Sequence, residues 1–170
     1  LEAYRQFTAL RLDSLAAECL TDIGIIYNQK GQFRKGRSFC LRAADIFRRM
    51  PAFQNGVQNS VHFNGLVMSY YYYWTSYYLS GEYIEGLRWL DTIRSIRKRQ
   101  GREDANLLNN YGTTYSKIGS YDSSLKYFQL GLDLAQRLKR YDLIELFETN
   151  LANVFERQGR FDQALTHYQI

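Results

Sequence analysis

Asn110-Tyr111-Gly112-Thr113-Thr114-Tyr115-Ser116-Lys117-Ile118-Gly119-Ser120-Tyr121-Asp122-Ser123-Ser124-Leu125-Lys126-Tyr127-Phe128 is the stretch that decides the fold. A small residue, Gly112, is followed three positions on by Tyr115, then by Gly119, then by Tyr121. The pattern recurs as Gly24-Ile25-Ile26-Tyr27 with Gly31-Gln32-Phe33, as Trp74-Thr75-Ser76-Tyr77 with Gly81-Glu82-Tyr83, and as Ala152-Asn153-Val154-Phe155 with Gly159-Arg160-Phe161. In every copy one aromatic stands four residues before the glycine and another two after it, and fixed-period self-similarity of this kind marks a repeat architecture. The spacing predicts a mechanism: the glycine ends a first helix in a left-handed backbone, and the second aromatic begins a helix that folds back on it, giving an αα-hairpin.

The marker glycines Gly31, Gly81, Gly119 and Gly159 are 50, 38 and 40 residues apart in turn. Long helices absorb the extra length over a minimal repeat. In the first interval Pro51 is expected to end a helix, because proline lacks the N–H and clashes with a helix interior. Ala52 to Asn59 then read as a loop or an added turn, followed by a long helix through Tyr78. The expected organisation is one array: 1–11 as the second helix of a truncated preceding unit, 12–50 as the first unit, 51–100 as the second with an insertion, 101–140 as the third, and 141–170 as a truncated fourth. A chain that begins at Leu1 and stops at Ile170 within a helical pattern reads as a piece of a longer protein.

Residues 110–128, and Asn150 to Leu165 after them, resemble the tetratricopeptide repeat family. The resemblance implies an all-α fold, a right-handed superhelical stack of antiparallel helix pairs whose first helices line a concave face. Burial points the same way, since a lone hairpin cannot bury its apolar stripe and stacking hides it. Trp74 departs from the pattern, standing where the family has a small residue, and the proline that often closes a unit is missing. The long units, with Asn110 and Asn150, are similar to repeat regions of bacterial signalling proteins and regulators.

On each first helix the core takes the apolar positions, so the side chains three before the small residue and one and four after it are expected to line the groove. They are Thr21, Ile25 and Asn28; Tyr71, Thr75 and Tyr78; Asn109, Thr113 and Ser116, with Lys117 beside them; and Thr149, Asn153 and Glu156. The set is rich in hydroxyl and amide groups, which suits a protein or peptide segment better than a phosphate-rich polymer. Chaperone-binding relatives clamp a terminal carboxylate with paired lysines and asparagines, and that clamp is missing here. The run Tyr70-Tyr71-Tyr72-Tyr73-Trp74 is read mostly as core, with Tyr71 and Tyr78 as the expected exposed pair.

Composition bounds the function. Of 170 residues, 45% are hydrophobic and 23% charged, which is the balance of a folded chain and not of a disordered one. No stretch reads as a membrane span, so this fragment is not expected to insert in a bilayer. Neither Cys19 with Cys40 nor the isolated His62 and His167 has metal-ligand spacing, so no cofactor or metal is expected. Nucleophile elbows and phosphate loops are absent, and the chain reads as non-catalytic. The basic cluster Arg94, Arg97, Lys98, Arg99 and Arg102 supplies much of the net charge of +5. It reads as a solvated helix end that complements the helix dipole, with nucleic-acid binding the minor alternative. The function expected is an interaction module for a protein or peptide, with a scaffold that homo-oligomerises through aromatic surfaces as the rival. The compartment is not legible: cytoplasmic by default, periplasmic for the sensor region of a membrane-bound regulator.

Overall fold

The computed structural model describes residues 1–50 and 61–169, so the break expected at Pro51 and the segment Ala52 to Asn59 lie outside the described residues. All regular structure among the described residues is helical: α1 Glu2–Ala9, α2 Asp13–Gln29, α3 Phe33–Arg49, α4 Val61–Leu79, α5 Tyr83–Arg99, α6 Ala105–Lys117, α7 Tyr121–Arg137, α8 Tyr141–Arg157 and α9 Phe161–Tyr168. They form two compact units, Leu1–Gly101 and Arg102–Ile170. In the first unit α2 pairs with α3 and α4 with α5, and α1 lies on α2. In the second, α6 pairs with α7 and α8 with α9.

The corners explain why the sequence marker has its spacing. Gly31, Gly81, Gly119 and Gly159 all have positive φ, between 70° and 80°, where a Cβ would be strained. The N–H of the residue after each glycine bonds to the carbonyl of the aromatic four residues before it: Gln32 to Tyr27 at 2.9 Å, Glu82 to Tyr77 at 2.9 Å, Ser120 to Tyr115 at 3.0 Å and Arg160 to Phe155 at 2.9 Å. This is the six-to-one bond that satisfies a helix's last carbonyls. Two corners between helices use the same bond without glycine, Leu12 to Phe7 at 2.8 Å and Arg140 to Ala135 at 3.0 Å, with Arg11 and Lys139 in the left-handed region.

The signature aromatic also meets a partner twelve residues on, on the returning helix. Tyr27 stacks on Phe39, Tyr115 on Tyr127 and Phe155 on His167, with centroids 5.3, 5.5 and 5.3 Å apart. These rings are half-buried and do not form the deepest core. The fully buried layer of the second unit is Phe128, Leu132, Ala135, Phe147, Leu151 and Val154. Close approach depends on glycine there: a Cβ on Gly131 would stand 2.1 Å from Cε1 of Phe147, and one on Gly112 2.4 Å from Cε1 of Phe128.

In the first unit Phe47 covers Gly65 in the same manner. The departure at Trp74 has a local compensation. Its indole is buried, and Gly86 on the facing helix stands so near that a Cβ would lie 3.3 Å from the indole Cδ1. The bulk lost at one position and gained at the other conserve the hairpin's packing. Neighbouring corners are also joined: Arg37 bridges to Glu82 at 2.9 Å, and Ser76 donates to the Phe33 carbonyl at 3.0 Å.

Candidate interaction faces

In the first unit α2 and α4 lie side by side and parallel, because Thr21 bonds to Ser69 (3.0 Å) and, further along both helices, Asn28 donates to the Tyr72 carbonyl (3.1 Å). That seam overturns part of the expected groove. Thr21 is 7% exposed and Asn28 5%, and both are held by these bonds. Successive first helices pack directly, so the positions three before and four after the small residue of the first hairpin point into the seam and not into solvent. Tyr71 is a second correction: expected to be exposed, it is 7% accessible. Helices α2, α3 and α5 surround α4, which leaves it only one narrow outer stripe.

That stripe is Met68, Tyr72, Thr75 and Leu79, spaced at four, three and four residues, with Met68 43% and Leu79 52% exposed and the other two half-buried. The matching stripe of α2 is Glu18, Asp22, Ile25 and Gln29, of which only Ile25 is half-buried and the rest are exposed. Ile25 and Thr75 therefore sit on one face, as expected. Tyr78 is half-buried and turned to the side, its ring meeting Trp74 at 5.2 Å and Tyr83 at 5.7 Å between centroids. Sequence reading missed Glu18, Asp22, Met68, Tyr72 and Leu79. The signal was there: each lies six residues before, two before or five after the small position, on the same helical stripe as the residue one after it.

In the second unit the face of α6 and α8 is polar. Asn150 donates to the Oδ1 of Asn109 across the two helices at 2.8 Å. Thr113 is half-buried and bonds to the Asn110 carbonyl at 3.2 Å, Ser116 is half-buried, and Lys117 is exposed. Thr149, Asn153 and Glu156 are all exposed on α8. Two of them are engaged, since the Tyr168 hydroxyl on α9 reaches Asn153 Oδ1 at 2.8 Å and Glu156 at 3.2 Å. Asn150 was the residue missed here. The bond between the two amides uses one N–H and one carbonyl lone pair, so both side chains keep further donor and acceptor capacity, whichever way the amides are turned.

Other chemistry on these faces is sparse. Among the described residues no cluster of three or more His, Cys, Asp or Glu is arranged to hold a metal ion, and no helix is long and apolar enough to cross a membrane. Cys40 is fully buried, and burial pushes its thiol up to about 12. The α5 basic cluster is partly neutralised locally, with Arg94 on Asp91 at 2.7 Å and Arg88 on Glu85 at 3.0 Å. A depression of about 390 Å³ sits at the joined corners, lined by residues that include Phe33, Lys35, Arg37 and Glu82, and not on the first-helix faces.

Residues 105–138, the hairpin of α6 and α7, match the tetratricopeptide repeat family model. No curated protein sequence matches the chain at a significant level. Among solved structures the apo form of RapI is similar over 90% of this chain and 53% of its own, with 21% identity and a TM-score of 0.73. BtubC (BKLC) from P. vanneervenii is similar over 91% of this chain and 61% of its own, with 17% identity and a TM-score of 0.70. The chain thus spans about half the length of the first and about three fifths of the second, and at such identities the likeness speaks for the fold alone. The corner glycines, the matched hairpin at residues 105–138 and these likenesses together give the chain an all-α helical-repeat fold of the tetratricopeptide kind.

Proposed function

We infer that this chain is a non-catalytic interaction module that holds an extended peptide or protein segment on the outer faces of its first helices. The observation that carries the reading is the Asn109 and Asn150 amide pair on adjoining helices. A peptide unit offers one C=O and one N–H in a fixed relation, and the half-buried amide pair keeps donors and acceptors beyond the one bond it makes internally, the complement of both. Thr113 flanks the pair, and Thr149 and Asn153 line the same helix face, all polar without being charged. Recognition through main-chain groups supplies affinity, while neighbouring side chains supply preference.

A narrower proposal is that the chain is the sensory or regulatory region of a larger bacterial signalling protein. Its support is fold analogy, and a kinase or DNA-binding segment attached in the full-length chain is the observation that would bear on it.

The test is selection of a displayed random peptide library on the intact chain, followed by titration of the enriched peptides. Asn109→Ala combined with Asn150→Ala is expected to weaken them at least tenfold while far-UV circular dichroism stays at the parent level. Enriched peptides that bind the double variant as well as the parent would sink the reading.

A further inference from the structure

The face of the first unit has a feature that the amide pair does not explain. Helix α2 carries Asp13, Glu18 and Asp22 and no lysine or arginine, in a chain whose basic residues outnumber its acidic ones by 22 to 17. The second helix of the same hairpin carries Arg34, Lys35, Arg37, Arg42, Arg48 and Arg49 against Asp45 alone. Glu18 and Asp22 are four residues apart and exposed on the outer stripe, so they repel each other. Among the described residues neither has a cationic partner; Glu18 accepts a single long contact from Ser14 at 3.5 Å. Beside this acidic row runs the α4 row of Met68, Tyr72 and Leu79, which is apolar and aromatic.

We propose that the α2 and α4 face binds an extended peptide segment in which basic and apolar side chains alternate. The proposal rests on the reading of first-helix faces as sites for extended segments, and it names the class of segment for this one. Four residues of helix rise about 6 Å, the axial separation of Glu18 from Asp22 and of Met68 from Tyr72. Two residues of an extended chain rise about 6.6–6.8 Å, with their side chains on the same side. A segment lying along the seam therefore sends every second side chain to the carboxylates and the intervening ones to Met68 and Tyr72. The near match to period two suits an extended segment, the occupant taken here. The α3 cations of a second copy, at 34, 35, 37, 42, 48 and 49, include no pair four residues apart and so do not match the spacing of Glu18 and Asp22. An ammonium or guanidinium beside these exposed carboxylates, with its alkyl stem against the neighbouring apolar row, gains from both rows at once.

The experiment is fluorescence anisotropy of a labelled eight-residue peptide of alternating lysine and leucine against the whole chain. Two controls accompany it, a peptide of the same composition in lysine and leucine blocks and one of alternating glutamate and leucine. The alternating basic peptide is expected to bind at least tenfold more tightly than either. Glu18→Gln with Asp22→Asn removes that preference and leaves the chain as thermally stable as the parent or slightly more so, since a like-charge pair is relieved. Asn109→Ala with Asn150→Ala, on the other unit, leaves this peptide's affinity unchanged, which separates failure here from failure of the general reading. Equal affinity for the blocked peptide, no loss in the Glu18 and Asp22 double variant, or light scattering showing that the two carboxylates hold a dimer would each overturn the proposal.

Discussion

Gly131→Ala sets two well-measured tendencies against each other, and the geometry decides between them. In a helix interior, alanine is favoured over glycine by about 1 kcal/mol, so propensity alone predicts a more stable protein. The new Cβ, however, would stand 2.1 and 2.2 Å from Cε1 and Cζ of Phe147. Carbon atoms rest at about 3.5–4.0 Å, so the ring or the helices must shift by about 1.5 Å. Phe147 is fully buried within the cluster of Phe128, Leu132, Leu151 and Val154 and has no open side to swing toward. Overpacking of this kind costs about 1–3 kcal/mol, and the upper half of that range applies to a ring with no free edge. The net expectation is a loss of about 1–2 kcal/mol, or roughly 4–8 °C in Tm per kcal/mol for a unit of this size. Urea denaturation followed by circular dichroism reads it. Tryptophan emission supplies a reference, because Trp74 and Trp89 both lie in the Leu1–Gly101 unit. Phe147→Leu in the Gly131→Ala background should recover part of the loss, so that the two changes are less than additive. Stability equal to or above the parent for Gly131→Ala would refute the packing described for α7 and α8.

Three further outcomes are expected. Phe47→Ala and Phe147→Ala should each cost about 3–5 kcal/mol as buried truncations, whereas Tyr115→Ala, which removes a half-buried stacked ring, should cost visibly less in the same melts. Thiol labelling of the folded chain at pH 8 should modify Cys19 and spare Cys40, whose buried thiol is pushed up to about 12; two labels per native chain would contradict that burial. The Arg37 guanidinium, with the Ser80 hydroxyl second, holds the Glu82 carboxyl below the usual carboxylate range. Because that pKa is depressed on folding, the contribution is present above the ordinary carboxylate pKa and disappears as pH falls through the folded value. The Glu82 side chain is 45% exposed, so Glu82→Gln should lower stability at neutral pH by at most about 1 kcal/mol and narrow the difference from the parent in acid.

The fold was legible because its markers are local. A glycine that needs positive φ and an aromatic whose carbonyl receives the closing bond lie within six residues of each other, so Gly31, Gly81, Gly119 and Gly159 announce their corners without help from distant residues. The faces were less legible because exposure is decided by what packs alongside. Thr21 and Asn28 carry the same pattern position as Thr149 and Glu156, yet the first two are seam residues between α2 and α4 and the last two are exposed. Tyr71 was lost for the same reason, as three neighbouring helices crowd α4. Trp74 looked like a fault in the pattern only because its compensation, Gly86, is twelve residues away on the returning helix.

The two joints closed without glycine have a consequence for tuning the molecule. Arg11 and Lys139 hold φ of 55° and 54° with a Cβ present, a conformation that costs an L-residue about 1–2 kcal/mol. Part of that would return on substitution by glycine, less the extra freedom glycine gives the unfolded chain. Stability is therefore adjustable at these two joints between helical pairs, while Gly101 between α5 and α6 and the bends inside each pair already use the least strained residue available to them.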